Sequence, residues 1–150
     1  MDLLIIRHGH AEYDIPQKTK RLTSLGRSIF RNKLHDNMDL FTTLDLIISS
    51  PIIRAQETAE ILKSVSNCKN EIILDQRLTP GTSTEEILDL VNEMAGNSIA
   101  LISHLPDVSF HLNKLVSKPN VRVNFEPGTI AMLKFNGKFG FGLGELYKTV

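Results

Sequence analysis

Cysteine is almost absent: Cys68 is the single one in 150 residues. An internal disulfide framework and a cysteine-based zinc cage are therefore excluded, and the composition suits a reducing compartment such as the cytosol. Charge of one sign is also lacking, because Lys plus Arg and Asp plus Glu both number 17. No broad basic surface for nucleic acid is expected, although a local cationic pocket remains compatible with a balanced total. No apolar run approaches the length of a membrane span. The first apolar stretch, Leu3 to Ile6, has no basic segment before it and is interrupted by Arg7 and His8, so neither a signal peptide nor membrane attachment is expected. Repeats, low-complexity tracts and linkers are missing too. With 41% apolar and 23% charged residues, the expectation is a single cytoplasmic domain over residues 1–150.

What is present is an alternation of short apolar runs with helical patterns. Leu3-Leu4-Ile5-Ile6 is continuous, as a strand buried on both faces should be. Thr23 can cap a helix over about residues 24–38, with Leu25, Ile29, Phe30, Leu34 and Met38 at helical spacing. Leu44 to Ile48 reads as a second strand. Ser50-Pro51 then reads as the N-cap and first residue of a helix with Ile52, Ala55, Ala59 and Leu62 inside. Glu71 to Leu74 is a third strand, and Ser83 to Glu86 has the form of a capping box. Ser98 to Ile102 is a fourth strand, and Pro106 opens a helix. Thr129 to Phe135 and Phe141 to Tyr147 read as strands joined through Asn136-Gly137. Together these elements predict a three-layer α/β/α fold, with a mainly parallel central sheet and at least one antiparallel strand near the C-terminus.

In such sheets ligands bind beyond the carboxyl ends of the strands. Three of those ends carry capable residues: Arg7-His8-Gly9, Ser49-Ser50-Pro51 with Arg54 just beyond, and Ser103-His104. A parallel sheet brings two arginines and two histidines to one crevice. Guanidinium forks match phosphate oxygens and neutralise a transferring phosphoryl group. Gly9 lets backbone come close to the bound group. Nearby arginine charge disfavours protonation of His8, which keeps an imidazole nitrogen nucleophilic. His104 supplies a further donor to phosphoryl oxygen. No metal or other cofactor is implied, and His35 and His111 fall on helices.

The segment Leu4-Ile5-Ile6-Arg7-His8-Gly9-His10-Ala11 resembles the opening of the histidine phosphatase superfamily, which includes the phosphoglycerate mutases. Ser49-Ser50-Pro51-Ile52-Ile53-Arg54-Ala55-Gln56-Glu57-Thr58 and Ile102-Ser103-His104-Leu105-Pro106 resemble its second and third blocks. Short length, Ala11 and the third block make the chain most similar to the small phosphohistidine phosphatases of the SixA type. The resemblance implies a phosphohistidine intermediate on His8, with Arg7, Arg54 and His104 completing the phosphate pocket. Arg21-Leu22-Thr23-Ser24-Leu25-Gly26 also resembles a shared stretch. Arg21 is accordingly a candidate on the same rim, with a surface charge before the helix cap as its alternative reading.

Ester cleavage needs an acid for the departing alkoxide. Larger relatives carry a carboxylate after the third strand or after the second histidine. Here those places read Arg77-Leu78-Thr79-Pro80-Gly81 and Leu105. Glu12, Asp14, Glu85, Asp107 and Glu126 could approach only through folding, and His10 could help as an acid but reads better as a solvent-facing loop residue. The missing acid and the lack of room for a lid favour a phosphohistidine on a signalling protein, such as a phosphotransfer domain. A small-molecule phosphomonoesterase and a non-catalytic phosphate-binding module are the alternatives.

Overall fold

The computed structural model describes residues 1–16 and 18–150. The continuous apolar run becomes β1 (Asp2–Arg7), at the centre of a six-stranded sheet. The other strands of the sheet are β4 (Leu46–Ser49), β5 (Ile73–Leu74), β6 (Ser98–Ser103), β7 (Ile130–Lys134) and β8 (Glu145–Thr149), in the order β5-β4-β6-β1-β7-β8. The β5, β4, β6 and β1 pairings are parallel, whereas β7 runs antiparallel to both β1 and β8.

Alternate residues of β1 serve opposite faces. Leu4 and Ile6 pack with α1 (Ser24–Asp36) and α2 (Ile53–Val65) through Phe30, Leu34, Ala59 and Leu62. Leu3 and Ile5 pack with α3 (Thr84–Glu93) and α4 (Asp107–Leu115) through Ile87, Val91, Val108 and Leu112. This is the expected three-layer arrangement. The Ser83–Glu86 capping box forms with both reciprocal bonds.

Four local expectations differ from the structure. Leu25, Ile29 and Met38 lie outside, at 68%, 52% and 46% exposure, while Gly26, Phe30 and Leu34 face inward. Gly26 sets that rotation: a Cβ there would stand 2.4 Å from the His10 carbonyl oxygen, so only glycine permits this approach. The helix after Ser50-Pro51 starts only at Ile53, with Ile52 as an N-cap that has no side-chain bond. The last two strands pair as expected, but the return strand waits until Glu145, because Phe139 first turns inward onto Phe135 with ring centroids 5.2 Å apart. Finally, Ala11–Asp14 (β2) and Thr19–Leu22 (β3) form an antiparallel two-stranded ribbon that the periodicity did not reveal. Its strands are short and mostly polar, so they carry little apolar signal.

Register brings the site together. Arg7 stands opposite Ser103 and Ser49 opposite Ile102. The chain beyond each strand is stitched to its neighbour: His8 N–H donates to the Ser103 carbonyl at 3.1 Å, and Ser50 N–H to the Ile102 carbonyl at 3.0 Å.

Candidate active site

His8 follows β1, and its ring is held at both nitrogens. Nδ1 lies 2.8 Å from the Gly9 carbonyl oxygen. A carbonyl only accepts, so Nδ1 carries the proton. Nε2 accepts from Arg54 Nε–H at 3.1 Å, which requires a lone pair there. The two bonds agree on one tautomer, with Nε2 unprotonated. Burial, chiefly, pushes the His8 pKa down to about 4; the Gly9 bond opposes this, and the charges of Arg54, Arg7 and Lys20 add to it. Arginine charge thus contributes as expected, but desolvation contributes more.

Gly9 is fixed in turn. Its N–H donates to Thr58 Oγ1 at 3.0 Å, and Thr58 Oγ1 donates to the Arg54 carbonyl at 2.7 Å. One buried threonine thereby joins the loop that presents His8 to the helix that presents Arg54. Arg7 donates through Nη1 to the Phe125 carbonyl at 2.7 Å, and its buried Nε has no partner among the described residues. His104, only 2% exposed, has its ring centroid 5.3 Å from that of His8. Its Nε2 lies 2.9 Å from Ser50 Oγ. Burial first, then the charges of Arg54 and His8, also pushes its pKa down to about 4.

Arg7, His8, Gly9, Arg54 and His104 all line one cavity of about 400 Å³. Arg21 is not among its lining residues. Its Nε donates to Glu57 Oε1 at 3.0 Å, and buried Glu57 also pairs with Arg27 at 2.6 Å and accepts from Leu22 N–H at 2.8 Å. Lys20 lines the cavity instead. Successive side chains of a strand point to opposite faces, so the phase of β3 exchanges the two neighbouring cations. His10 lines the cavity as well, because the chain leaves the extended conformation after Arg7; its Nδ1 meets Thr23 Oγ1 at 3.1 Å.

No Asp or Glu lines the cavity among the described residues. Asp107 accepts from Gly81 N–H at 2.8 Å, and Glu126 lines the adjoining groove beside Pro127. Thr58, Glu57 and Lys20 are not expected at the site from the sequence, and Ser50 is expected at its strand end only as a helix cap, not as the partner of His104. For Ser50, Thr58 and Glu57, membership of the block from Ser49 to Thr58 was the available signal; Lys20 had none beyond adjacency to Arg21.

The model of the histidine phosphatase superfamily (branch 1) matches residues 3–79. A phosphohistidine phosphatase SixA homolog of Haemophilus influenzae is 30% identical over an alignment 148 positions long that covers 91% of this chain and 90% of that protein. The chain belongs to the histidine phosphatase superfamily. Among solved structures, the protein histidine phosphatase SixA complexed with tungstate superposes with a TM-score of 0.79 at 25% identity, covering 99% of this chain and 96% of that one. A phosphohistidine phosphatase SixA from Nakamurella, described as putative, shares the fold with a TM-score of 0.81 at 18% identity, covering 99% and 94%. This histidine phosphatase is thus a hydrolase of the SixA-like kind, and no helix among its described residues is long and apolar enough to cross a membrane.

Proposed function

We propose that this histidine phosphatase removes the phosphoryl group from phosphohistidine on another protein, with His8 as the covalent carrier. The observation that carries this reading is a cavity that presents a neutral nucleophile and two arginines but no carboxylate among its described lining residues. In the first step His8 Nε2 bonds to phosphorus as the P–N bond of the substrate breaks. The departing imidazole takes a proton from solvent, which an imidazole nitrogen accepts near neutral pH without a fixed acid. In the second step a water oxygen bonds to phosphorus and releases its proton to solvent, the His8 P–N bond breaks with its electron pair returning to Nε2, and inorganic phosphate leaves. Arg7, Arg54 and His104 donate to the phosphoryl oxygens, whose charge they stabilise throughout. Lys20 adds a cation at the rim, while Arg21 supports the ribbon through Glu57.

The setting proposed is the cytoplasm, and a phosphotransfer domain is the substrate class that fits an accessible cavity. The test compares phosphate release from a phosphohistidine-bearing protein with release from alkyl phosphate esters. Brief exposure to substrate should also label wild-type protein but not His8→Ala. Faster turnover of the esters overturns the substrate assignment, and the absence of label at saturating substrate overturns catalysis in favour of phosphate binding.

A further inference from the structure

Ser50 does not do what its place before a proline implies. It is not the N-cap of α2: that position is Ile52. Its hydroxyl, fully buried, accepts from Ile52 N–H at 3.3 Å and makes a shorter contact, 2.9 Å, with Nε2 of His104. The other nitrogen of that ring, Nδ1, is buried and has no partner among the described residues.

We propose that Ser50 is a positioning residue that holds His104 in the Nδ1–H tautomer, so that this N–H is kept for the phosphoryl group. The inference rests on the reading of the cavity as a phosphate site, though not on which phosphorylated substrate is used.

Counting donors and acceptors decides between the two tautomers. A serine hydroxyl has one hydrogen and two lone pairs. Ile52 N–H occupies one lone pair. Were His104 to donate from Nε2, both lone pairs would be filled and the hydroxyl hydrogen would lack an acceptor among the described residues. Nδ1 would then hold a buried lone pair, which repels an anion. With the hydroxyl donating to Nε2, every group on Ser50 is satisfied. One buried donor, Nδ1–H, is left, and a bound anion is the partner that satisfies it. His104 lines the cavity beside His8, and an anion bound there would take up the unmet donor. A neutral ring carries only one ring proton, so its placement matters.

The decisive measurement is long-range proton–nitrogen NMR on the uniformly ¹⁵N-labelled protein, with the His104 ring assigned by its loss in His104→Ala. The expected pattern is protonated Nδ1 and unprotonated Nε2. An Nε2–H pattern in the wild type overturns the proposal whatever the variants do. Ser50→Ala should shift the ring toward Nε2–H and weaken the binding of inorganic phosphate by roughly tenfold, the worth of about one hydrogen bond to a charged group. It should leave the His8 tautomer unchanged, which a general disruption would not. Ser50→Thr, which keeps the hydroxyl, should restore both readouts. Wild-type phosphate affinity in Ser50→Ala also overturns the proposal. None of these outcomes depends on whether phosphohistidine proteins are the substrate.

Discussion

Arg54 Nε–H donates to His8 Nε2 across 3.1 Å, so the unprotonated nitrogen of His8 is already in contact with a guanidinium before any phosphate arrives. That bond does two things. It orients the ring from the side opposite the Gly9 carbonyl, and it keeps the lone pair from taking a proton. An incoming phosphoryl group must take over this donor, so Arg54 passes from nitrogen to oxygen as the reaction begins. Arg54→Ala should lower kcat/KM by about 10²–10³-fold, the typical cost of a preorganised donor to developing charge. Arg54→Lys keeps the charge without the fork and should recover all but roughly tenfold. Steady-state rates on a phosphoramidate check this, and equal rates for both variants contradict it.

Thr58 couples His8 to Arg54 through Gly9 N–H and the Arg54 carbonyl. Thr58→Val has nearly the same shape but leaves Gly9 N–H buried without an acceptor. Urea unfolding should show a loss of about 1–3 kcal/mol. Because the Gly9 carbonyl selects the His8 tautomer, kcat should fall as well. A variant with reduced stability and unchanged kcat would separate the loop from the chemistry.

The neighbouring cations of β3 should behave as opposites. Lys20→Ala is expected to raise KM several-fold for an anionic substrate, and the difference should shrink as salt screens the exposed charge. Arg21→Ala removes one partner of Glu57 while Arg27 remains, so it should lower stability by under about 1 kcal/mol and spare KM. KM for each variant at low and high salt, with thermal melts, distinguishes the two; a rise in KM for Arg21→Ala alone would reverse the assignment.

Acid should act on stability before it acts on the nucleophile. The pKa values of folded His8 and His104 are lowered to about 4 from an ordinary 6.5, principally by burial. Between those values the unfolded chain binds more protons than the folded one, so stability falls as pH drops from 6.5 toward 4 and these two groups add no further loss below it. NMR titration of the two rings, with urea melts across the same range, checks both halves. A midpoint near 6.5 for either ring, in the folded protein, would contradict the burial argument.

Sequence alone was enough to place the strand ends and their chemistry. The continuous run Leu3–Ile6 demands a strand buried on both faces, and the chain directly after it must carry Arg7 and His8 to the rim. His104 follows β6 by the same logic, and the Ser83 capping box is a matter of adjacent residues. These features depend on neighbours in the chain, where periodicity and local hydrogen bonding decide. The rest depends on partners far away. Which of Lys20 and Arg21 enters the cavity follows from the phase of a ribbon anchored by Glu57, and which face of α1 turns inward follows from the contact of Gly26 with His10. Ser50 has the local credentials of a helix cap, yet its hydroxyl turns to His104, 54 positions on. Strand alternation, close approach and long-range pairing are set only when the layers pack, and so tertiary structure assigned these residues their roles.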